Sequence, residues 1–312
     1  MLDIIQVILP IFTVIAIGAV LKKRSVLNDN FVATGNTLLM SIFLPVLLFY
    51  KISQSDFFQI FSLQHVLVMT VSIVLTFLIS FPVGKMLHLP SSLIGTFVSS
   101  NFRTNAVFVG LPVSFFIFGD SGLTAASILV AFIVPINNIL GVLAFSASGL
   151  KKTSIAGAAK KTVLNPLVIS ASAGILFSLS GWTLPVFVDT TFSILSGITL
   201  PLALMGIGAT MKLENIKGHT FLLAVCSLFK LVFLPLVALL LFQLLPDPEF
   251  GLMEKVVIVL LAAPSAQINF VFASTMNGDA KLASGAIVTS TALSAISLVI
   301  WLKILETGFL TI

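Results

Sequence analysis

The sequence predicts an all-α membrane protein with ten transmembrane helices in two inverted five-helix repeats. Three observations predict this fold: an apolar composition, ten apolar segments of membrane-spanning length, and prolines and glycines that recur at one offset. Of the 312 residues, 58% are hydrophobic and only 9% are charged, whereas a soluble domain carries about 25% charged residues. The mean hydropathy is +1.19. This composition excludes a soluble protein, because too few polar side chains are available to cover a water-facing surface.

Ten apolar segments approach or exceed the length of about 20 residues that a helix needs to cross a bilayer. Backbone amides in lipid must be satisfied within their own segment, so helices are expected, and the alternation typical of barrel strands is absent. The first segment is followed rather than preceded by a basic cluster, which favours a transmembrane helix over a signal peptide. We number the predicted helices as spans 1 to 10: 4–21, 34–51, 62–86, 92–118, 121–146, 163–180, 188–211, 219–245, 254–276 and 280–305.

The distribution of basic residues predicts the orientation. With the N-terminus outside, eleven of the sixteen lysines and arginines lie in cytoplasmic segments and three lie outside, as the positive-inside rule requires. The cytoplasmic ones are Lys22, Lys23, Arg24, Lys85, Lys151, Lys152, Lys160, Lys161, Lys212, Lys217 and Lys281, and the outer ones are Lys51, Lys255 and Lys303. We therefore expect a bacterial inner-membrane protein with both termini non-cytoplasmic. The net charge of +5 reflects this bias and indicates no nucleic-acid partner.

An internal repeat relates the two halves of the chain. At an offset of 156 residues the aligned pairs are Pro10 and Pro166, Gly18 and Gly174, Pro45 and Pro201, and Pro90 and Pro246. Further on, an offset of 164 aligns Asn105 with Asn269. The alternative is chance alignment of apolar sequence. Residues 1–148 form the first repeat, 149–161 a short basic cytoplasmic loop, and 162–312 the second. Five helices per repeat invert the second copy, which is the design of many secondary transporters.

The most polar helix interiors belong to spans 4 and 9, which read SSNFRTNAVFVGLP and AAPSAQINFVFAST. Pro112 and Pro264, together with Gly110, are expected to break these helices, because proline lacks an amide donor and clashes with the preceding turn. Such breaks are tolerated only where they are buried in protein or line a cavity, and half-helix N-termini attract anions. The substrate-binding candidates are Arg103, Thr104, Asn105, Ser265, Gln267 and Asn269.

Two cations lie within these membrane spans. Arg103 either binds a substrate carboxylate or pairs with a carbonyl or polar side chain to hold the helix break. Lys230 is a charge of the transport pathway, a structural cation neutralised by a coupled anion, or a tether between span 8 and the broken backbone of span 9 or 4. Asn105 and Asn269 either contact substrate or cap half-helices. No span interior contains an acidic residue, which favours an anionic substrate over a carboxylate proton relay or a dedicated sodium cage.

The remaining reactive residues indicate no catalytic or metal site. Cys226 is the single cysteine and lies within an apolar run, so neither a disulfide nor a cysteine-based metal site is expected. His65, His88 and His219 fall at helix ends or in loops, and the sequence places none of them in a cluster with acids. An enzyme is therefore not expected, and no cofactor is implied.

Several motifs carry a resemblance over the whole chain. They are FRTNAVFVGLP in span 4, APSAQINFVFA in span 9, LPVLLF and LPLALM in spans 2 and 7, and FKLVFLP in span 8. At these residues the sequence resembles the auxin efflux carrier family, in its bacterial branch of malate and malonate permease-like transporters. The paired motifs of spans 4 and 9 are the more specific ones.

The resemblance implies broken helices 4 and 9 that cross, a scaffold of helices 1, 2, 6 and 7, and a mobile transport unit of helices 3–5 and 8–10. It also implies an elevator-type movement and a homodimer. Asn105 matches the helix 4 asparagine of the plant carriers, and Pro264 matches a helix 9 proline. Thr104 and Asn269 stand where those carriers have prolines, so the crossover chemistry differs. We expect a carrier of small organic anions; the alternatives are a sodium-coupled symporter of the bile-acid-carrier type and a membrane receptor without transport.

Overall fold

The computed structural model describes residues 2–149, 154–211, 219–245 and 250–306. In these ranges all regular secondary structure is helical, apart from one isolated antiparallel bridge, which confirms the all-α prediction. Residues 150–153 of the basic loop, with Lys151 and Lys152, lie outside the described residues, as do Lys212 and Lys217.

The helices follow the predicted order along the chain, and π-helical segments join some of them end to end. Their bounds are α1 Leu2–Lys23, α2 Asp29–Leu38, a π-helical segment Leu39–Phe43, α3 Leu44–Ser53, α4 Phe57–Ile60, α5 Leu63–Met86, α6 Ser91–Phe102, a π-helical segment Ala106–Gly110, α7 Leu111–Ala147, α8 Ile155–Val163, α9 Pro166–Ser180, α10 Val186–Thr210, α11 Thr220–Leu228, a π-helical segment Phe229–Phe233, α12 Leu234–Gln243, α13 Leu252–Ala262, α14 Ile268–Thr275 and α15 Ala280–Glu306.

Among the described residues, seven helical stretches are long and apolar enough to cross a membrane, and the bent pair α8 and α9 would make an eighth. The stretch Ala106–Ala147 counts once, although Gly119 interrupts it with a φ of 64° and a ψ of −155° between predicted spans 4 and 5. The pieces α6, α13 and α14 have 12, 11 and 8 residues, too few to cross alone. The structure thus confirms a protein with several membrane spans, and ten crossings remain a prediction.

A leucine-proline pair follows each π-helical segment of the described chain. These pairs are Leu44-Pro45, Leu111-Pro112 and Leu234-Pro235. Proline has no amide donor and its ring displaces the carbonyl four residues earlier, so we attribute the wider turn before each pair to proline. At Pro235 the carbonyl left without its helical donor is that of Leu231, and the indole Nε1 of Trp301 donates to it at 2.7 Å. Tertiary structure thereby replaces the hydrogen bond that proline removes.

Two close helix contacts occur at glycines that the predicted repeat relates. Helix α1 packs on α10, and α3 packs on α9. A methyl group on Gly18 of α1 would overlap the carbonyl oxygen of Met205 on α10. A methyl group on Gly174 of α9 would come within 3.1 Å of the carbonyl oxygen of Phe49 on α3. Close backbone approach therefore explains both glycines. Equivalent contacts at equivalent positions are what two related halves of the chain would make.

Polar contacts connect loops that the charge distribution predicts on the same side. On the predicted outer side the partners are Lys51 with Asp120, Gln54 with Asp189, and His65 with Glu254 at 2.6 Å; on the inner side they are Lys22 with Asp29 at 2.5 Å and His219 with Asp279 at 4.0 Å. His65 and His219 thus each lie beside one acidic side chain, although the sequence had placed no histidine in a cluster with acids. His65 and Glu254 are 189 residues apart in sequence, so only the fold brings them together.

Candidate functional site

Spans 4 and 9 are both interrupted, and their non-helical residues meet. Helix α6 ends at Phe102 and helical structure resumes at Ala106, whereas α13 ends at Ala262 and α14 begins at Ile268. The unwound segments are therefore 103–105 and 263–267. We call the place where they meet the crossover.

The first break lies at residues 103–105, before Gly110 and Pro112, at which the sequence had predicted it. Gly110 ends a π-helical segment and packs on Leu260, whose Cδ2 would lie 2.6 Å from a methyl group on Gly110. Pro112 follows that segment within a continuous helix, since Gly110 and Leu111 keep right-handed helical backbone angles, so it widens a turn but does not unwind the helix. Pro264 does lie within the second break, and its carbonyl is used there as an acceptor.

An antiparallel bridge between Thr104 and Ser265 joins the two breaks. The backbone N–H of Asn105 donates to the carbonyl of Pro264 at 2.8 Å, and that of Ala266 donates to the carbonyl of Arg103 at 3.0 Å. Backbone groups released by one broken helix are thus satisfied by the other, as a water-free interior requires.

Polar groups of the two bridged residues hold the ends of the broken helices. The Thr104 hydroxyl donates to the carbonyl of Leu260 at 2.5 Å and also lies 3.3 Å from that of Ala263. The backbone N–H of Ser265 donates to Oγ of Ser290 on α15 at 3.0 Å. Both Thr104 and Ser265 are buried, and their polar groups are engaged within the protein.

The two asparagines proposed from the repeat have different surroundings. Asn105 directly precedes a helical segment, and its Oδ1 accepts from the N–H of Phe108 at 3.3 Å, while its buried Nδ2 has no partner. Gln267, not Asn269, directly precedes the helix after the second break. The half-buried Gln267 donates from Nε2 to Oγ1 of Thr210 at 2.9 Å.

Asn269 is fully buried, and both ends of its amide are hydrogen-bonded. Its Oδ1 accepts from Oγ of Ser99 at 2.8 Å, and its Nδ2 donates to the Ser99 carbonyl at 3.3 Å and to Oγ of Ser265 at 2.9 Å. These bonds attach α14 to α6 across the crossover. The amide of Asn269 therefore acts as a structural link rather than an open binding group.

Arg103 points into the protein and is 3% exposed. Its Nη2 donates to Oδ1 of Asn138 on α7, and its guanidinium carbon lies 4.2 Å from the ring centroid of Phe272 on α14, a distance at which cation–π attraction operates. Its Nη1 is buried without a hydrogen-bond partner. The guanidinium is thus hydrogen-bonded on one edge and unpaired on the other.

Gly141, which the sequence alone did not single out, makes room for this guanidinium. A methyl group there would lie 2.5 Å from Nη1 of Arg103 and 3.1 Å from Cε1 of Phe272. A glycine inside an apolar helix is a general signal for such close approach, but the partner could not be read from it.

Lys230 is fully buried in the π-helical segment between α11 and α12. Its Nζ donates to the carbonyl of Leu261 in the last turn of α13 at 2.5 Å. The structure therefore shows the contact with span 9 that the tether, one of the alternatives for this lysine, requires.

The unpaired groups of the crossover share one chemistry. Within residues 103–105 and 263–269, the buried side-chain atoms without a partner are Nη1 of Arg103 and Nδ2 of Asn105, and both are donors. A buried unpaired donor costs about 1–3 kcal/mol, so an acceptor is expected to join them. No acidic residue occurs in these segments, which leaves the site electropositive.

The crossover is closed in this conformation, because every sequence-proposed binding residue except Gln267 is buried. A cavity of about 600 Å³ lies elsewhere, at the predicted outer end, with Asp56, Trp182 and Asp189 among its lining residues. In the part of the chain that the structure describes, no three metal-ligating side chains converge.

Comparison with known proteins agrees with this architecture. The model of a family described as membrane transport protein matches residues 3–302. An uncharacterized transporter of Methanothermobacter thermautotrophicus is 26% identical over 302 residues, which cover 96% of this chain and 98% of the relative. An uncharacterized transporter of Methanocaldococcus jannaschii is 24% identical over 307 residues, which cover 95% and 97% of the two chains.

Proposed function

Because the chain belongs to the auxin efflux carrier family of membrane transport proteins, we propose that it is a secondary transporter that moves small organic anions, most suitably carboxylates. The resemblance seen in the motifs of spans 4 and 9 is thereby confirmed, and the protein is a membrane transporter. The substrate class, the mechanism and the assembly are the proposal.

The observation that carries the proposal is the pair of unpaired buried donors at the crossover. Nη1 of Arg103 and Nδ2 of Asn105 could each donate to an oxygen of one carboxylate, and a charge-assisted bond from arginine is among the strongest available. The buried guanidinium should discriminate strongly against neutral and cationic molecules, because a charge in a low-dielectric site is poorly tolerated without an opposite charge.

The proposed mechanism is an elevator-type alternating access in a ten-span fold of two inverted repeats. Its support is the joined pair of breaks at Thr104 and Ser265 and the glycine contacts at Gly18 and Gly174, which the repeat relates. In this scheme helices 1, 2, 6 and 7 form the scaffold, and helices 3–5 and 8–10 carry the crossover across the membrane. A homodimer built on the scaffold completes the proposal.

The direct test is flux in liposomes with a panel of labelled mono- and dicarboxylates. We expect uptake of at least one of them, and we expect Arg103→Ala and Asn105→Ala to abolish it while the purified variants stay folded. Arg24→Ala is the matched control, because Arg24 is the other arginine of the chain and is exposed. Normal uptake by both crossover variants would remove the assignment of the site.

The same assay separates the two other functions that the sequence left open. A strict need for a sodium gradient would support the sodium-coupled symporter. Binding of a labelled carboxylate without any flux would support a receptor.

We place the protein in the cytoplasmic membrane with both termini outside. The relatives that were compared are archaeal, so they give no support to a bacterial source. Single cysteines in a Cys226→Ser background test the orientation. Trp182→Cys should react with an impermeant thiol reagent on intact cells, and Arg24→Cys should react only after permeabilisation. The reverse pattern would invert the topology.

A further inference from the structure

The buried lysine in span 8 has no role in the anion-binding scheme above. Lys230 is fully buried, and a lysine of this kind inside a membrane protein is costly enough to need a reason. The inference that follows rests on the proposed transport function and concerns its coupling ion.

The backbone around Lys230 is held in a fixed position. Pro235 cannot donate to the carbonyl of Leu231, and the indole of Trp301 on α15 donates to it at 2.7 Å instead. The segment Phe229–Phe233 is π-helical, and from it the Nζ of Lys230 reaches the carbonyl of Leu261 at 2.5 Å.

Lys230 and Thr104 together cap the C-terminal end of α13. Thr104 donates to the carbonyl of Leu260, and Lys230 donates to that of the next residue, Leu261. These carbonyls precede the break, where α13 ends at Ala262. The C-terminal end of a helix carries a partial negative charge that favours a cation, and a half-helix end within a membrane is a place where transporters bind coupling sodium ions.

We propose that the ammonium group of Lys230 occupies the position that a coupling sodium ion would otherwise take at the C-terminal end of α13. The carrier then holds its own cation at the crossover, and binding of the anion requires no sodium. The proposal also explains why this buried lysine contacts a carbonyl and not a carboxylate, since no span interior of the sequence offers an acidic partner.

Thermal unfolding of the purified protein tests this without depending on transport. We expect the wild type to unfold at the same temperature in sodium chloride and in choline chloride of equal concentration. Lys230→Ala, which vacates the ammonium position, should unfold at a lower temperature. Sodium or methylammonium, but not choline, should raise the unfolding temperature of Lys230→Ala by about 2–4 °C.

Lys230→Met is the matched control, because it fills most of the volume but offers neither a charge nor a vacancy, and we expect no recovery with either cation. A higher unfolding temperature of the wild type in sodium than in choline would overturn the proposal, even if no variant folds. So would a Lys230→Ala protein that responds to no cation.

The outcomes separate this inference from the proposed function. Sodium-independent unfolding of the wild type, with recovery of Lys230→Ala by small cations but no flux of any carboxylate, supports the lysine assignment and refutes the transport proposal alone. Carboxylate uptake that needs a sodium gradient refutes the lysine assignment; the anion-binding site then stands, and the coupling becomes that of the sodium-coupled symporter.

Discussion

The guanidinium of Arg103 occupies space that a side chain at position 141 would need. Nη1 of Arg103 lies 2.5 Å from the point where a methyl group on Gly141 would stand, while Nη2 is bonded to Asn138 one turn earlier on the same helix. Helix α7 therefore both orients the cation and leaves it room, and the residue that leaves the room carries no functional group of its own.

Replacing this glycine should impair transport without removing any charged group. Gly141→Ala forces the guanidinium out of its position, and crowding of this kind typically costs about 1–3 kcal/mol. We expect carboxylate uptake by proteoliposomes to fall by about tenfold or more, since 1.4 kcal/mol corresponds to a factor of ten. Gly35→Ala is the control, because nothing lies within 4 Å of a methyl group there. Wild-type uptake by a folded Gly141→Ala protein would mean that this placement of Arg103 does not matter.

The two crossover asparagines should respond differently to the same substitution. Asn269→Ala leaves the Ser99 hydroxyl and its surroundings without partners and should lower the unfolding free energy by about 1–3 kcal/mol. Asn105→Ala removes one weak cap bond of 3.3 Å and an unpaired donor, so it should lower stability less but abolish uptake. Thermal unfolding and uptake of both variants are the measurements. Equal stability losses would contradict the structural role assigned to Asn269.

A disulfide should form readily across the two breaks. Thr104 and Ser265 stand opposite each other, and the two backbone hydrogen bonds beside them are made by their chain neighbours. The Cα atoms of a pair without its own hydrogen bonds lie about 4.5 Å apart, within disulfide range. Thr104→Cys with Ser265→Cys, in a Cys226→Ser background, should lose both free thiols on mild oxidation, measured by intact mass after thiol labelling. Thr104→Cys with Ser274→Cys is the control pair. If the first pair stays reduced, the two breaks do not meet as described.

Close helix packing in the predicted scaffold should depend on two glycines. A methyl group on Gly18 would overlap the carbonyl oxygen of Met205, and one on Gly208 would overlap that of Ile15. Because backbone cannot move aside as a side chain can, Gly18→Ala and Gly208→Ala should each lower the unfolding free energy by about 1–3 kcal/mol or more. Gly197→Ala on the same α10 has open space around it and should leave the unfolding temperature unchanged. A loss at Gly197 equal to that at Gly208 would argue against specific packing.

The sequence could predict an all-α membrane protein and the residues that meet at the crossover, because both depend on composition and on residue type. Apolar length identifies helices in a membrane, and polar residues inside a span are rare enough to stand out. Arg103, Thr104, Asn105, Ser265 and Asn269 were found in this way, and the structure brings them together at the crossover.

The exact place of the first break and the pairing of the asparagines could not be predicted in the same way. A proline within a span predicts a break near it, but the helix continues from the π-helical segment through Pro112 into α7, so this proline widens a turn and unwinds nothing. The unwound residues are instead those whose backbone pairs with the second break, and that partner is remote in sequence. Similarly, Gln267 directly precedes a helix as Asn105 does, whereas the sequence repeat aligned Asn105 with Asn269.

By itself the sequence determined that this is a helical membrane protein, that its span interiors hold cations without acids, and that spans 4 and 9 are unlike the rest. These are properties of residue type and spacing. Only the tertiary structure decided which polar groups remain available, because a hydrogen bond across the crossover joins residues about 160 positions apart. Asn269 is hydrogen-bonded to Ser99 and Ser265, and Lys230 to the carbonyl of Leu261. Nη1 of Arg103 and Nδ2 of Asn105 are buried donors without a partner.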